Sequence, residues 1–452
     1  MPTDNHLERK IGLFSATNIV IANMIGAGIF TTSGLLMENL NSPALMVGLW
    51  VVGGLVALAG ALCYAEVGSA IPKAGGEYAF LSDLYHPMLG FLSGWVSFLV
   101  GFSAPIAASA IGFSEYLFRA IPTDLHESYI AVGPLKKIVS ISIILVFTAV
   151  HLRGVKFGTI VQNLLTLLKI LLIVGLIVLG FFWGNGSMDH FQYAGDTVAP
   201  QAMSWKSIAL SLMWIMFAYS GWNATTYIGS EIKNPGKNIP GSLLIGTVVV
   251  LGLYLLLNIL FVFAIPVEQM RGEISIGGLA VNNLFGSFID KIFSILIAIA
   301  LFSSISAFII LGPRVYYAMA RDGYFFDFAG KIHPKFKVPY WSIIFQAIIA
   351  IIIILSGTLD QIFTYMGFTL GIFPLFVIAG LFKLKKKGGH QLRLPGFPVT
   401  AIVFLIVGIG ILILSYLERP IESTVAIATL VLGVPFYFFF KGRNGLELKN
   451  KK

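Results

Sequence analysis

Two glycine-containing stretches, each in the middle of a long apolar segment, decide the fold of this chain. They read Met24-Ile25-Gly26-Ala27-Gly28-Ile29-Phe30 and Phe217-Ala218-Tyr219-Ser220-Gly221-Trp222-Asn223. In hydrocarbon, an interrupted helix leaves N–H and C=O groups without water, so a break survives only where protein covers it or a cavity adjoins it. The freed N–H groups suit an anion, and the freed carbonyls suit a cation or an ammonium. Two such breaks predict a site for a small zwitterion where they meet.

The simpler interpretation of a single Gly-x-Gly pair is close packing of helices, and for one isolated pair we would favour it. Two interrupted segments in corresponding places favour the site instead.

Composition excludes most other classes. Of the 452 residues, 57% are hydrophobic and only 11% are charged, whereas soluble proteins carry about a quarter charged residues. The chain is therefore predicted to be an all-α polytopic membrane protein embedded in the lipid bilayer. The net charge of +9 is explained by basic loops of a membrane protein rather than by nucleic acid, so no nucleic-acid partner is expected.

Twelve segments are long and apolar enough to span a bilayer, which takes about 20 residues. The fourth and ninth look short. The segments cover residues 12–36, 44–70, 88–117, 138–151, 158–182, 206–230, 240–265, 288–319, 341–356, 359–382, 397–416 and 422–441.

The distribution of Lys and Arg sets the orientation. With the N-terminus in the cytoplasm, inside segments carry 22 of the 30 basic residues and outside loops carry 7, in agreement with the positive-inside rule. An even number of spans then leaves both termini cytoplasmic. We expect a multi-pass protein of the plasma (inner) membrane.

Span order predicts an inverted repeat. The interrupted spans are the first and the sixth, so two five-helix halves have opposite orientation, as in many secondary transporters. The predicted parts are a cytoplasmic N-terminus (1–11), a first five-helix repeat (12–182), a second, inverted repeat (206–382), two additional helices (397–441) and a cytoplasmic tail (442–452).

Lys169 is the one charge deep within a span. A charge at the centre of a bilayer costs about 3 kcal/mol, so this side chain is expected to face the helix bundle. Three roles compete: a permanent substitute for a bound cation, which we favour; a proton carrier, because burial disfavours the charged form; and a structural tether. Ser303, Ser304 and Ser306 of the eighth span are candidate partners, although back-bonding to their own helix is the better account of these serines taken alone.

No metal cluster, catalytic triad or phosphate loop is visible in the sequence, so neither a metal site, nor a cofactor, nor an enzyme is expected. A receptor would usually carry a soluble domain, and only eleven residues follow Lys441. A non-transporting nutrient receptor is therefore the remote alternative.

Several motifs together resemble the amino acid–polyamine–organocation (APC) superfamily, most closely the L-type amino acid transporters and their bacterial relatives. The similarity covers about residues 10–440. Besides the two stretches above it rests on Gly60-Ala61-Leu62-Cys63-Tyr64-Ala65-Glu66, Pro72-Lys73-Ala74-Gly75-Gly76-Glu77-Tyr78, Glu231-Ile232-Lys233-Asn234-Pro235 and Pro313-Arg314.

The resemblance implies a LeuT-like fold of 12 transmembrane helices, a 5+5 inverted repeat with broken helices 1 and 6. By that resemblance, the substrate's carboxylate is held by backbone N–H groups. These belong to Gly26, Ala27 and Gly28.

The α-amino group would meet carbonyls near Met24, Phe217, Ala218 and Ser220. Phe217 resembles the outer aromatic gate, and Asn223 resembles a residue that shapes the side-chain pocket. Lys169 matches a lysine that replaces a sodium ion in sodium-independent members.

The chain departs from the family at two points. Many relatives have Ser or Thr where this chain has Ala27, so no hydroxyl reaches the carboxylate there. The only cysteine, Cys63, lies in a span, and the loop 118–137 has none. A disulfide-linked heavy chain is therefore not expected through the loop between helices 3 and 4.

The expected activity is transport of neutral L-amino acids by alternating access, in sodium-independent exchange of one amino acid for another. Proton-coupled uptake through titration of Lys169 is the alternative. Tyr365, Phe368, Thr369 and Ser103 are candidates for the pocket wall, with core packing an equally good account of them.

Overall fold

The computed structural model of the protein describes residues 7–121, 132–192, 204–356, 359–386 and 395–450. Side chains are described in the same ranges except at 132, 359–365 and 444–450. The elements are α-helices with a few 3₁₀ and π turns, and two isolated β-bridges join loop segments.

Seventeen α-helices follow one another in the described ranges. They are α1 (Leu13–Met24), α2 (Ala27–Leu40), α3 (Pro43–Ala70), α4 (Glu77–Leu84), α5 (Pro87–Val96), α6 (Ser103–Ala120), α7 (Val132–Leu152), α8 (Val155–Trp183), α9 (Trp205–Ala218), α10 (Pro235–Ala264), α11 (Val267–Met270), α12 (Ile276–Phe285), α13 (Ser287–Arg321), α14 (Tyr340–Ser356), α15 (Leu359–Lys386), α16 (Val399–Glu418) and α17 (Pro420–Asn450).

Ten helical segments of the described chain are long and apolar enough to cross a membrane, if α1–α2 and α5–α6 are each taken as one segment. The chain is thus a polytopic helical membrane protein. The predicted sixth and ninth spans correspond to the shorter apolar helices α9 and α14. The fourth span is longer than predicted, because α7 begins at Val132 and includes Lys136 and Lys137, which the hydropathy pattern had left in a loop.

Local chemistry fixes where several helices begin. Ser42 accepts a hydrogen bond from the amide of Leu45 (3.3 Å) ahead of α3, and Pro43 occupies the first turn. Ser204 likewise accepts a hydrogen bond from the amide of Ser207 (3.1 Å) ahead of α9. A side-chain acceptor at the N-cap satisfies one of the free N–H groups of a helix start.

The helix α8 shows how the bundle meets lipid. Its exposed side chains include Leu164, Leu168 and Leu171, whose exposed fractions are 58%, 46% and 58%. Its inward face instead carries Gln162 and Thr166 and, one turn on, Lys169, all buried. Polar residues therefore face the protein and leucines face the membrane, as burial in hydrocarbon requires.

Both predicted breaks are present. The first apolar segment is divided at Ile25 and Gly26 into α1 and α2. In the second, the α-helix ends at Ala218, and Gly221 adopts a left-handed φ of +102°. Here the structure differs from the predicted span 206–230, because the chain continues as 3₁₀ turns, Ala224–Tyr227 and Gly229–Glu231.

Candidate functional site

The two breaks touch each other. A Cβ atom added to Gly28 would lie 3.0 Å from the Cα of Ala218, and one added to Gly221 would lie 2.7 Å from the side-chain nitrogen of Asn23. Only glycine permits this approach of two backbones at Gly221, where φ is also positive. The sequence thus brings both interrupted segments to one place.

A small cavity of about 20 Å³ lies at this meeting point. Its wall includes both breaks, a turn of α6 and Phe308 of α13. The lining residues are Asn23, Met24, Gly26, Ala27, Gly28, Pro105, Ala108, Ser109, Phe217, Ala218, Ser220 and Phe308. All predicted head-group residues line this cavity, whereas Asn223 lies elsewhere.

The amide groups at the start of α2 provide the electropositive part of this cavity. Gly26 is the N-cap of α2, and Ala27 and Gly28 are its first residues. The first N–H groups of an α-helix have no acceptor within the helix, and the helix dipole adds positive potential there. An anionic group of a ligand fits this end of the cavity.

The carbonyl groups of the two breaks are joined by a residue that the sequence analysis missed. The hydroxyl of Tyr254, on α10, lies 2.6 Å from the carbonyl oxygen of Met24 and 3.0 Å from that of Ala218. Tyr254 is fully buried. Each carbonyl oxygen has a second lone pair for another donor.

A larger cavity of about 110 Å³ adjoins the first, and the two share Asn23, Phe217, Ser220 and Phe308. Its wall is mostly apolar and contains residues of α3, α5, α9, α15 and α16. Asn223 and Thr369 line it, whereas Phe368 and Ser103 are buried and are not among its lining residues. The side chain of Tyr365 lies outside the described residues.

Lys169 reaches the first break from α8. Its ammonium group donates hydrogen bonds to the carbonyl of Ile25 and to the hydroxyl of Ser304 (2.8 Å), and it lies 3.5 Å from the carbonyl of Ala22. Ser304 in turn donates to the same Ile25 carbonyl (2.8 Å). Lys169 is 1% exposed, so its charge is held inside the bundle by neutral oxygen atoms.

The neighbouring serines have other partners. Ser303 lies 3.3 Å from the hydroxyl of Thr166 and 3.4 Å from the amide nitrogen of Gln162. Ser306 lies 2.8 Å from the ring of His151. Of the three serines that the sequence offered as partners, Ser304 is the one that contacts Lys169.

An acidic residue from a predicted loop lines the larger cavity. Glu77 opens the short helix α4, and it is 6% exposed. Its Oε1 accepts hydrogen bonds from the Tyr64 hydroxyl (2.8 Å) and from the Asn223 amide (3.0 Å). Burial raises the pKa of Glu77 to about 7, although the surrounding donors favour the ionised form.

The double glycine before Glu77 explains its position. Gly75 and Gly76 have φ values of +103° and +53°, and a Cβ on Gly76 would lie 2.4 Å from the ring of Tyr227. The amide of Gly75 donates to the carbonyl of Tyr227 (3.0 Å). A turn that only glycine fits therefore docks on the segment after the second break and directs Glu77 inward. Adjacent glycines before a charged residue were the available sequence signal.

The start of the chain is closed against the segment that follows the second break. The amides of Lys10 and Ile11 both donate to the carbonyl of Glu231 (3.0 Å each), and the carboxylate of Glu231 pairs with Arg314 of α13 (2.8 Å). Both charged side chains are at most 3% exposed. The start of the chain is thus tied to the segment that follows the second break.

A second closure joins the segment between α10 and α13 to α2. The amide of Gly272 donates to the carbonyl of Gly34 on α2 (3.0 Å). Arg119 of α6 pairs with Asp290 of α13 (3.0 Å) and donates to Ser275 (2.9 Å). The segment between α10 and α13 therefore lies against the middle of α2, at Gly34.

A broken-helix bundle with a cavity where its breaks meet defines a class of membrane carriers, and the comparisons place the chain within it. The family model described as "Amino acid permease" matches residues 11–436. The chain belongs to the amino acid permease family.

Curated relatives match over nearly the whole chain. The "Large neutral amino acids transporter small subunit 2" of Homo sapiens is 28% identical over 444 residues, which are 96% of this chain and 80% of that protein. The "Serine/threonine exchanger SteT" of Bacillus subtilis (strain 168) is 28% identical over 447 residues, which are 97% of this chain and 98% of the exchanger. The "Asc-type amino acid transporter 1" of Mus musculus is 27% identical over 436 residues, 96% and 81% of the two chains.

One human relative's name calls it a small subunit. In this chain the only cysteine, Cys63, is buried in α3, and its exposed fraction is 1%. Its sulfur lies 4.0 Å from the Thr400 hydroxyl. A disulfide to a partner protein through this residue would require it to leave the core.

Proposed function

We propose that the protein is a secondary transporter of neutral L-amino acids that works by sodium-independent exchange and alternating access. The observation that carries this proposal is the contact between the two breaks, at Gly28 with Ala218 and at Gly221 with Asn23. This contact places free N–H groups and accessible carbonyls around one small cavity. A zwitterionic head group matches both.

In this proposal the substrate's carboxylate binds the amides of Gly26, Ala27 and Gly28. Its ammonium group binds the carbonyls of Met24 and Ala218, to which Tyr254 already donates. Phe217 lines both cavities, and it acts as the aromatic gate that closes over the substrate from outside. Phe217 and Ser220 supply further backbone carbonyls.

The fold assigned to this function is the LeuT-like one, with 12 spans. Residues 12–182 and 206–382 form the two inverted repeats, and 397–441 add two helices. The protein lies in the plasma membrane. Its termini, residues 1–11 and 442–452, lie in the cytoplasm. The order of the helices and the placement of the breaks within the first and sixth segments support this assignment.

Lys169 acts as a built-in cation. Its ammonium group occupies a position between the first break and Ser304 that neutral oxygens line. Such oxygens are also the ligands that a hard cation prefers. A covalently attached charge makes a sodium ion unnecessary at this point, so counter-substrate rather than an ion drives return of the carrier.

The experiment uses purified protein in liposomes preloaded with labelled L-threonine. Exchange requires that label leave the vesicles only when unlabelled amino acid is present outside, and that sodium replacement by choline leave the rate unchanged. Efflux of label at the same rate without external amino acid would contradict exchange.

Proton-coupled uptake is the second candidate, and the neutral surroundings of Lys169 favour it. No carboxylate is among the atoms that the described contacts give to its ammonium group, so its proton is not held by an ion pair. Uptake into empty vesicles driven by an imposed pH gradient, and lost in Lys169→Ala, would establish this mode in place of exchange.

A further inference from the structure

The carboxyl group of Glu77 lies in the cavity where a substrate's side chain would extend. Of the described residues that line this 110 Å³ cavity, Glu77 is the only one with a carboxyl, amino, guanidinium or imidazole group. The rest of the wall is aliphatic, aromatic or carries neutral amide and hydroxyl groups. A single carboxyl in such a wall dominates the polar part of recognition.

We infer that Glu77 is the specificity-determining residue of the side-chain pocket and selects amino acids whose side chain donates a hydrogen bond. This inference rests on the proposed transport function and names its substrate class. Within the neutral class proposed above, the donor is a side-chain hydroxyl. An ammonium donor would extend the substrates to basic amino acids, and in both cases the recognition is a hydrogen bond to a buried carboxyl oxygen.

The position of Glu77 supports the inference because its carboxyl is held in place. One oxygen atom already accepts from Tyr64 and Asn223, and these donors fix the orientation of the group. Asn223, in turn, lies 3.3 Å from the Tyr227 hydroxyl. A carboxylate has about four acceptor positions; the hydroxyls of Tyr227 and Ser93 also act on the group, so a ligand donor shares or displaces these hydroxyl contacts.

The electrostatic surroundings also favour a donor. The titratable groups that face Glu77 are the hydroxyls of Tyr64 and Tyr227, from α3 and the segment after the second break, and Ser93 of α5 adds a further hydroxyl. All of these are neutral, so no basic side chain of the protein satisfies the carboxyl. A pKa of about 7 for Glu77 means that its charge changes within the physiological range.

Pairs of nearly isosteric amino acids test this inference directly. L-threonine and L-valine differ by a hydroxyl in place of a methyl group, and L-lysine and L-norleucine differ by an ammonium group in place of hydrogen. In liposomes, the concentration of each that halves exchange of labelled L-alanine is measured. In at least one pair, the wild-type protein is expected to prefer the amino acid with the donor group by about tenfold. This is the effect expected of a hydrogen bond to a charged group.

Two substitutions separate the two donors. For each pair, the ratio of the two inhibitory concentrations, valine to threonine or norleucine to lysine, measures the preference for the donor. Glu77→Leu removes the acceptor and is expected to bring both ratios to about one. Glu77→Gln keeps an acceptor but no charge, so a threonine preference falls by about threefold or less, whereas a lysine preference is lost. A lysine preference should also rise as the pH increases from about 6 to about 8 and the carboxyl ionises, and Glu77→Gln should abolish that rise.

The matched control is Glu66→Gln. Glu66 is also a buried acid, 3% exposed, but it pairs with Lys385 (2.5 Å) and is not among the residues lining the cavity. Its substitution should leave both ratios unchanged. Ratios near one in the wild type, or ratios preserved in Glu77→Leu, would overturn the inference. Absence of exchange with every amino acid in the wild type would instead refute the proposed function.

Discussion

The hydroxyl of Tyr254 lies 2.6 Å from the carbonyl oxygen of Met24, the last residue of α1, and the same hydroxyl lies 3.0 Å from the carbonyl of Ala218. One phenol therefore connects the ends of both interrupted helices. Because each carbonyl lacks its helical partner, the hydroxyl replaces part of the hydrogen bonding that the breaks remove.

Tyr254→Phe tests this bridge. The substitution keeps the ring but leaves two buried carbonyls with one donor fewer, at a cost of about 1–3 kcal/mol. We expect a lower melting temperature in detergent and a weaker apparent affinity for the exchanged amino acid. The control is Tyr85→Phe, because the Tyr85 hydroxyl donates to the carbonyl of Phe376 (2.9 Å), away from both breaks. Equal effects of the two substitutions on affinity would refute a special role for Tyr254.

Lys169→Ala tests the built-in cation. Removal of the ammonium group leaves the carbonyl of Ile25 with Ser304 as its remaining side-chain donor, and the first break loses its contact with α8. The rate of exchange is expected to fall by at least about tenfold, which corresponds to a free-energy change of about 1.4 kcal/mol. Lys156→Ala, at an exposed position at the start of the same helix, should leave exchange unchanged. Unaltered exchange in Lys169→Ala would disprove the role.

Glu231→Gln tests the closure on the side of the N-terminus. The substitution leaves Arg314 buried and without its full counter-charge, which costs about 3–5 kcal/mol for a pair of this burial. Thermal unfolding is expected at a clearly lower temperature than in the wild type. Glu422→Gln, in the more exposed pair with Arg419 (3.9 Å), should change the melting temperature little, because such pairs contribute about 0–1 kcal/mol. A stable Glu231→Gln protein would mean that this pair does not hold the closure.

Gly34→Ala tests the second closure. A Cβ at Gly34 would lie 2.0 Å from the carbonyl oxygen of Glu273, so α2 and the segment above it must separate. We expect slower exchange, measured as label efflux at saturating external amino acid. Gly48→Ala is the matched control, since nothing lies within 4 Å of its added Cβ. Because position 48 is helical, the alanine should leave the free energy of unfolding unchanged or raise it by up to about 1 kcal/mol. Normal exchange in Gly34→Ala would show that this contact is not formed during the cycle.

The sequence predicted most of the fold because long apolar runs leave few alternatives in a membrane. Its limits appear where polar and glycine residues act together. The 3₁₀ turns after the predicted break at Ala218 were not expected, because the span was taken to continue as a helix to residue 230. The charges of Lys136 and Lys137 placed the predicted start of the fourth span at residue 138, whereas α7 begins at Val132.

The site was predicted in part. Glycines in mid-span identified both breaks, and the depth of Lys169 identified its inward direction. Tyr254 escaped notice because nothing in an apolar helix distinguishes a structural tyrosine from one that serves a break elsewhere in the chain. Glu77 escaped because its segment reads as a loop, and only the backbone turn at Gly75 and Gly76 brings it into the core.

The π turn at Ser97–Gly101, between α5 and α6, accommodates one residue more than an α-helix would. Gly101 and Phe102 both line the larger cavity. Because each α-helical residue advances the helix by about 100°, shortening this turn by a single amino acid would rotate everything beyond it. The surface that α6 presents to a bound molecule therefore depends on an insertion one residue long, and chains that differ by that insertion alone would offer a ligand different walls.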